Sequence, residues 1–348
     1  MTASVVGIDI GSAAVRAVEV SDSGKATPTL ARFHEVRLPE GAVSRGEVLE
    51  PNTVAGALKQ LWSMGGFKSK NVVLGMGNHR VLARDLAVPK ASMKRIRESL
   101  PFQVQDMLPV PVADALLDFY PISESESDTG PQINGLLIAA VKEAVLGNVR
   151  AVELAGLNPV EVDLIPFALA RAIHDGSRTD GALVQIDVGA GTTSVVITIA
   201  GVPQFVRLIP TGGEDLTQAL ILRLGVDAEQ AEALKRSVGL SAQPTLENQA
   251  AITVIREVTT ELLSSLRNTV NYFTNTRHNV TVARIVLTGG GSHLDGFADA
   301  LGEMTRLPVL APLTSGSVVL GRGVDADALE QTRGAFLVAL GLALGRKA

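Results

Sequence analysis

Val6-Gly7-Ile8-Asp9-Ile10-Gly11-Ser12, near the start of the chain, is answered 178 residues later by Val184-Gln185-Ile186-Asp187-Val188-Gly189-Ala190. Each is an aliphatic, β-branched run that ends in Asp-x-Gly, passes through small residues and enters a second β-branched stretch. One such copy reads as an ordinary hairpin turn. Two in matched context, about half a chain apart, predict two similar lobes facing each other across a cleft.

The flanking sequence fits this. In the first half, alternating apolar residues predict strands at Ser4–Ile10, Val15–Val20 and Thr29–Leu38. A helix opening at Pro51 and reaching Met64 follows, then a strand at Asn71–Met76. The pattern next changes to strand (Arg80–Val88), helix (Ala91–Met107), strands (Ala115–Ile122 and Gln132–Ala140), helix (Lys142–Ala155) and strand (Pro159–Leu164). This βαββαβ run is expected to be a small inserted α+β module, with the acidic stretch Ser123–Pro131 as a mobile loop. A second large unit starts near Gly181, with strands Ala182–Asp187, Thr192–Ile199 and Gln204–Ile209 and a helix from Gly213. An amphipathic helix from Leu246 to Phe273, a strand at Arg284–Leu287 and a final apolar helix complete it. The expected division is 1–79 with 165–180 as the first lobe, 80–164 as the insert and 181–348 as the second lobe.

Bulk composition narrows the function classes. With 46% hydrophobic residues, 19% charged and a net charge of -5, a folded core is affordable and a nucleic-acid footprint is not in view. The absence of cysteine removes disulfides, thiolate metal sites and cysteine nucleophiles. The start lacks the basic n-region of a signal peptide. The apolar run Gly334–Gly345 spans 12 residues, short of the ~20 a membrane helix needs. These features lead to the expectation of a cytoplasmic protein that reaches a membrane only through a partner.

The paired turns also suggest a chemistry. Glycine and serine in a tight turn let backbone N–H groups approach an anion closely. Aspartates at the strand ends, Asp9 and Asp187, are placed to hold Mg²⁺ directly or through water. Two such turns, Gly11-Ser12 and Gly189 with Gly191, would clamp a triphosphate from opposite sides, with Arg16, Thr192 and Thr193 adding donors. Gly289-Gly290-Gly291-Ser292 follows a strand, and its bare backbone suits either a plain loop or a flat contact with a purine. Glu232 and Lys235, three apart on a predicted helix, read either as a surface ion pair or as a polar pair for ribose hydroxyls.

In order, Gly7–Ser12 (GIDIGS), Ile186–Thr193 (IDVGAGTT), Ala231–Lys235 (AEALK) and Leu287–Gly296 (LTGGGSHLDG) resemble the phosphate-1, phosphate-2, ribose and adenosine motifs of the actin-like ATPase superfamily. Within it the chain looks most like the PilM family of type IV pilus assembly, close to FtsA. The likeness runs nearly end to end and includes Asp106–Pro111, Ala155–Pro159, Pro166–Ala172 and Thr211–Gln218. It implies an α/β actin-like fold of two ribonuclease-H-like lobes with a small α+β insert in the first. It implies ATP and Mg²⁺ as cofactors, with Gly213 joining the nucleotide-contacting residues. It further implies an adaptor role at the inner face of the cell membrane. The partner would be the cytoplasmic N-terminal peptide of a PilN-like inner-membrane protein, in a groove beside Phe102, Met107, Leu108 and Pro109. Other pilus assembly proteins and further copies of the chain are additional implied partners.

One departure bears on turnover. Hydrolysing relatives carry an acidic residue just before a Pro-small-Ala-Ala helix, and here that position is Ile165, ahead of Pro166-Phe167-Ala168. Isoleucine neither orients water nor accepts a proton, so nucleotide binding with slow or negligible hydrolysis is expected. The alternatives are an FtsA-like division protein, a sugar- or acetate-kinase-type phosphotransferase, and a scaffold that binds no nucleotide. An FtsA-type protein would end in a basic amphipathic helix, whereas this sequence ends Arg346-Lys347-Ala348 after an apolar one. A kinase would need a base in the cleft, and none is evident.

Overall fold

Val6, Ile8 and Ile10 alternate with Gly7 and Asp9, so one face of the first strand is wholly apolar. In the computed structural model, which describes residues 4–22, 25, 27–128, 130–174, 181–277, 279–312, 318–332 and 334–345, this strand lies near the middle of a six-stranded sheet. The junction at 175–180 and the closing Arg346-Lys347-Ala348 lie outside the described residues.

In chain order, β1 (Ser4–Ile10), β2 (Ala14–Ser21) and β3 (Thr29–Arg37) form an antiparallel meander. A short hairpin, β4 (Val43–Ser44) and β5 (Glu47–Val48), leads to α1 (Pro51–Gly65) and β6 (Asn71–Met76). The insert holds β7 (Val81–Pro89), α2 (Met93–Gln103), β8 (Ala115–Ser127) and β9 (Gly130–Val141). After it come α3 (Lys142–Leu154), β10 (Asn158–Leu164) and α4 (Ile165–Ile173). The second half contains β11 (Ala182–Val188), β12 (Thr193–Ile199), β13 (Val202–Ile209), α5 (Gly213–Leu224), α6 (Ala228–Val238) and α7 (Gln249–Thr276). It ends with β14 (Val282–Thr288), α8 (Phe297–Thr305), β15 (Val309–Leu310), β16 (Val319–Leu320), α9 (Ala326–Gln331) and α10 (Leu337–Leu344).

The repeat read from the two Asp-x-Gly stretches is a repeat of topology. The first sheet runs β10-β6-β1-β2-β3, with β16 added at one edge, and the second runs β15-β14-β11-β12-β13. In each, a three-stranded antiparallel meander is extended by two parallel strands. The apolar face of β1 packs on α1 through Val54, Leu58 and Leu61. That of β11 (Val184, Ile186, Val188) packs on α7 through Leu262, Leu266 and Phe273. Full burial of each such side chain contributes about 1.5–3 kcal/mol, which makes the amphipathic stripe of α7 a main support of the second lobe.

Four sequence-based expectations need correction. The helix Lys142–Ala155 and strand Pro159–Leu164, expected inside the insert, fall on α3 and β10 and belong to the first lobe: α3 packs on α1 and β10 pairs with β6. The insert sheet is therefore only β7-β9-β8, with α2 on one face through Ile96, Leu100 and Val104. Second, α10 and β16, expected in the second lobe, also join the first. Strand β16 pairs with β3, and α10 lies on β1 and α4. Glycines permit that approach: a Cβ on Gly7 would fall 2.0 Å from the Ala339 carbonyl oxygen, and one on Gly341 would fall 1.8 Å from that of Ala168. Third, the acidic stretch is a hairpin end, with Ser123 paired to Asn134 and Ser127 to Gly130. Its polar side chains stay in solvent while the ladder satisfies the backbone. Fourth, α2 stops at Gln103, short of Met107, and α7 starts three residues after Leu246, where Thr245 and Asn248 tie off the preceding turn.

Candidate functional site: paired glycine turns between the lobes

The two turns close in the same way. At the end of β1 the Gly11 N–H donates to the Ala14 carbonyl at 3.0 Å, and at the end of β11 the Gly189 N–H donates to the Thr192 carbonyl at 2.9 Å. They also meet: a Cβ on Gly191 would sit 3.1 Å from Ser12 Oγ. The start of α5 is tied to the second turn, since Gly213 N–H donates to the Gly189 carbonyl at 3.0 Å and Glu214 N–H to that of Ala190 at 2.7 Å. The triple-glycine turn after β14 reaches the same point, with Gly291 Cα 3.4 Å from where a Gly213 Cβ would lie. Four segments from distant parts of the sequence thus present glycine backbone to one cleft, with Gly290 open on its Cβ side.

The two aspartates face this cleft from below the turns. Asp9 is 13% exposed, and burial pushes its pKa up to about 6; Arg16 opposes the rise, and the charges of Asp187 and Glu35 add to it. Asp187 is raised as well, chiefly by burial, against a hydrogen bond of 2.8 Å from Thr288 and the charge of Arg16. Both are carboxylates short of positive charge, which is the donor set a hydrated Mg²⁺ fits: one or two carboxylates, with phosphate oxygens and water completing the shell.

The structure sorts the remaining expected residues. Arg16 is held within its own lobe, 2.5 Å from Glu35 and 3.9 Å from Asp9. Thr192 lies in the second turn beside Gly189 and Gly191. Thr193 does not face the cleft: it is fully buried and donates its hydroxyl to the Thr211 carbonyl at 2.7 Å, so it positions the segment leading into α5. Ser292 closes its own turn by donating to the Gly289 carbonyl at 2.6 Å. Glu232 and Lys235 are more than a surface pair. Lys235 Nζ donates to Glu232, to Thr217 Oγ1 at 2.7 Å and to the Gly213 carbonyl at 3.2 Å, and Thr217 donates to Glu232 at 2.5 Å. Partial burial raises the Glu232 pKa, but hydrogen bonds from Lys235 and Thr217 with the charges of Lys235 and Arg236 outweigh it, so the net shift is downward.

Sequence reasoning missed three residues of the site. Thr288 and Thr217 stand next to or inside motifs already singled out, and their proximity to glycine runs was the available signal. Arg45, which reaches across the cleft to Asp215 at 2.7 Å, gave no local signal.

The insert carries a separate feature. A cavity of about 610 Å³ lies between the end of α2 and the following segment, lined by Pro101, Phe102, Asp106, Leu108, Pro109 and Pro111 among others. Phe102 is 85% exposed, an unusual state for a large apolar ring. Of the four groove residues expected from the sequence, three line it. Met107 instead packs against the insert core beside Val104 and Leu137.

Two lobes of duplicated topology, closing through paired Asp-x-Gly turns, define an actin-like protein. The sequence model of the family described as "Type IV pilus assembly protein PilM" matches residues 7–347, and the chain belongs to that family. Among solved structures, one titled "PilM-PilN type IV pilus biogenesis complex" is similar over 98% of this chain and 97% of that one, at 29% identity and a TM-score of 0.84. The ethanolamine utilization protein EutJ from Carboxydothermus hydrogenoformans shares the fold at 17% identity, covering 99% of this chain and 90% of that one, with a TM-score of 0.57. Curated relatives include the cell division protein FtsA of Bacillus subtilis (strain 168), 23% identical over 58% of this chain and 51% of that protein. The chain thus spans about half the length of that relative. FtsA of Pseudomonas aeruginosa is 24% identical over 88% of this chain and 82% of its own length.

Proposed function

We propose that the protein is a nucleotide-binding adaptor of type IV pilus assembly: it holds Mg-ATP between its lobes and the cytoplasmic N-terminal peptide of a PilN-like inner-membrane protein on its insert. What supports the nucleotide half is the meeting of the Gly11–Ser12, Gly189–Gly191, Gly213 and Gly289–Gly291 segments beside two part-buried carboxylates. In this reading the backbone N–H groups of the two turns bind phosphate oxygens, and Asp9 and Asp187 hold Mg²⁺, which neutralises phosphate charge when bound. Glu232, fixed by Lys235 and Thr217, orients the ribose, and the Gly289–Gly291 backbone lies against the base. The partner half is supported by the apolar groove around Phe102 and by the similarity to a PilM-PilN complex. Among the described residues no helix is long and apolar enough to cross a membrane; in this reading the PilN-like partner provides the attachment at the inner membrane face.

Turnover is slow in this reading. Ile165 directs its side chain onto Gly75 and Gly77 at the end of β6, within 2.9 Å of where their Cβ atoms would lie. Hydrocarbon therefore fills the position from which an acid would orient water. Titration calorimetry with Mg-ATP, a steady-state ATPase assay and binding of a synthetic peptide copying the partner's N-terminus test these points. The expected results are saturable nucleotide binding, turnover below ~1 s⁻¹, and a Phe102→Ala variant that is as stable as the wild type yet binds the peptide about tenfold or more weakly. Undetectable Mg-ATP binding would remove the nucleotide half, and an unchanged peptide affinity in Phe102→Ala would remove the groove.

A further inference from the structure

The short hairpin of β4 and β5 touches both the cleft and the insert. Its two-residue apex, Arg45-Gly46, has φ of +49° and +78°, the paired left-handed geometry of a primed hairpin turn. The turn type itself demands positive φ at both positions; Gly46 adopts it freely, and Arg45 does so at a cost of about 1–2 kcal/mol.

The apex also meets the second lobe. Arg45 Cα and N lie 3.1 Å from where a Gly191 Cβ would be, so the apex rests directly on the second turn of the cleft. The Arg45 guanidinium reaches Asp215 Oδ1 at 2.7 Å, and Asp215 Oδ2 accepts the Gly212 N–H at 2.8 Å, just where α5 begins beside Gly189 and Ala190. The opposite side of the hairpin is fixed to the root of the insert. Glu47 pairs with Arg80 at 3.1 Å, and a Cβ on Gly46 would meet that of Asn78 at 3.3 Å. Asn78 is fully buried and accepts the Arg80 N–H at 3.0 Å. Past the insert, Asn148 on α3, also buried, accepts the Val48 N–H at 3.3 Å. The hairpin's feet, Val43 and Val48, are packed in the first lobe's core, so it behaves as a stiff lever and not as a loose loop.

We propose that this hairpin transmits the state of the nucleotide cleft to the insert, with Arg45–Asp215 as the sensing contact and Glu47–Arg80 as the output. The proposal rests on the nucleotide reading above. An anion held between Gly11–Ser12 and Gly189–Gly191 resets the second turn and the start of α5, which are the surfaces Arg45 rests on and grips. The displacement passes through Glu47 to Arg80, the residue immediately before β7, and so to the sheet that carries the partner groove. Coupling of this kind is a free energy shared between two sites, and fivefold or larger effects are ordinary for it.

Hydrogen exchange of the full chain with and without saturating Mg-ATP tests this. In the wild type, Mg-ATP slows exchange in 43–48 and in 78–88 by about fivefold or more. In Glu47→Gln, which does not contact the cleft, Mg-ATP affinity and the slowing in 43–48 are retained while the slowing in 78–88 is lost. Arg45→Ala loses both responses. Arg80→Gln cuts the same output contact from the insert side and stands in for Glu47→Gln if that variant does not fold. Slowing in 78–88 that survives in Glu47→Gln or in Arg45→Ala overturns the relay alone, as does a wild type that binds Mg-ATP with no change there. A wild type that binds no Mg-ATP overturns the nucleotide reading and the relay together.

Discussion

Replacing Asp9 by Asn is expected to stabilise the nucleotide-free protein while abolishing its response to Mg-ATP. The folded state raises the Asp9 pKa from 3.8 to about 6 because burial strips water from the carboxylate, and its cationic neighbour Arg16 is 3.9 Å away and shared with Glu35. Between those two values the folded chain binds more protons than the unfolded one, so stability falls as pH rises from about 4 to about 6 and stays low above it. The rise from 3.8 to about 6 corresponds to about 3 kcal/mol at full ionisation. Asn has the same shape and no charge, so it removes that penalty. At about pH 7.5 in EDTA the variant should be more stable by about 1–3 kcal/mol, a rise in Tm of about 1–2 °C for each kcal/mol in a chain of 348 residues. At about pH 3, where Asp9 is mostly protonated in both states, the gap should close. Saturating Mg-ATP, which stabilises a binder by about 2.7 kcal/mol at a hundredfold excess over Kd, should raise the wild-type Tm and leave Asp9→Asn unmoved. Thermal melts by circular dichroism across the pH range measure all of this. A variant less stable than wild type at about pH 7.5, or a gap that does not narrow in acid, would refute the idea that Asp9 is held charged at a cost for the sake of a cation.

Three further substitutions probe the Glu232–Lys235–Thr217 network, the packing of α10 on α4 and the interior of α1. Lys235→Ala leaves Glu232, Thr217 and the Gly213 carbonyl without their shared donor; a loss of about 1–3 kcal/mol at that position should weaken Mg-ATP binding by about tenfold or more, read by calorimetry. Gly341→Leu places a Cβ 1.8 Å from the Ala168 carbonyl oxygen and forces α10 off α4, so the urea midpoint should drop by the equivalent of about 3 kcal/mol. Gly56→Ala, in the interior of α1 with nothing within 4 Å of the new methyl, should stabilise by up to about 1 kcal/mol.

What could be read from the sequence was what local chemistry specifies. The two hairpins that end at Asp9 and Asp187 were legible because the same aliphatic strand closed by Asp-x-Gly occurs twice in matched context. The amphipathic stripe of α7 was legible because its period is written in consecutive residues. Sheet membership was not: Asn158–Leu164 has strand character wherever it lies, and only its pairing with Asn71–Met76 assigns it to the first lobe. Thr193 was misread because its hydroxyl direction depends on strand register, which turned it towards Thr211 and away from the cleft. The stretch 123–131 looked like a loop because polarity was taken for lack of structure, although a hairpin ladder tolerates polar side chains on its solvent side. Arg45 and Asp215 are 170 residues apart and meet only because the lobes do.

The packing of α10 on β1 carries a consequence in time. Gly7 is covered by Ala339 and Leu342, so the strand made first is buried by a helix made some 330 residues later. At roughly 5–20 residues per second, one apolar face at the centre of the first sheet stays uncovered for on the order of 20–60 seconds of synthesis. Until α10 arrives, α4 also lacks the neighbour that Gly341 brings against Ala168. The first lobe is therefore the last to be completed, and the nascent chain must be kept from aggregating through a sheet whose cover is still inside the ribosome.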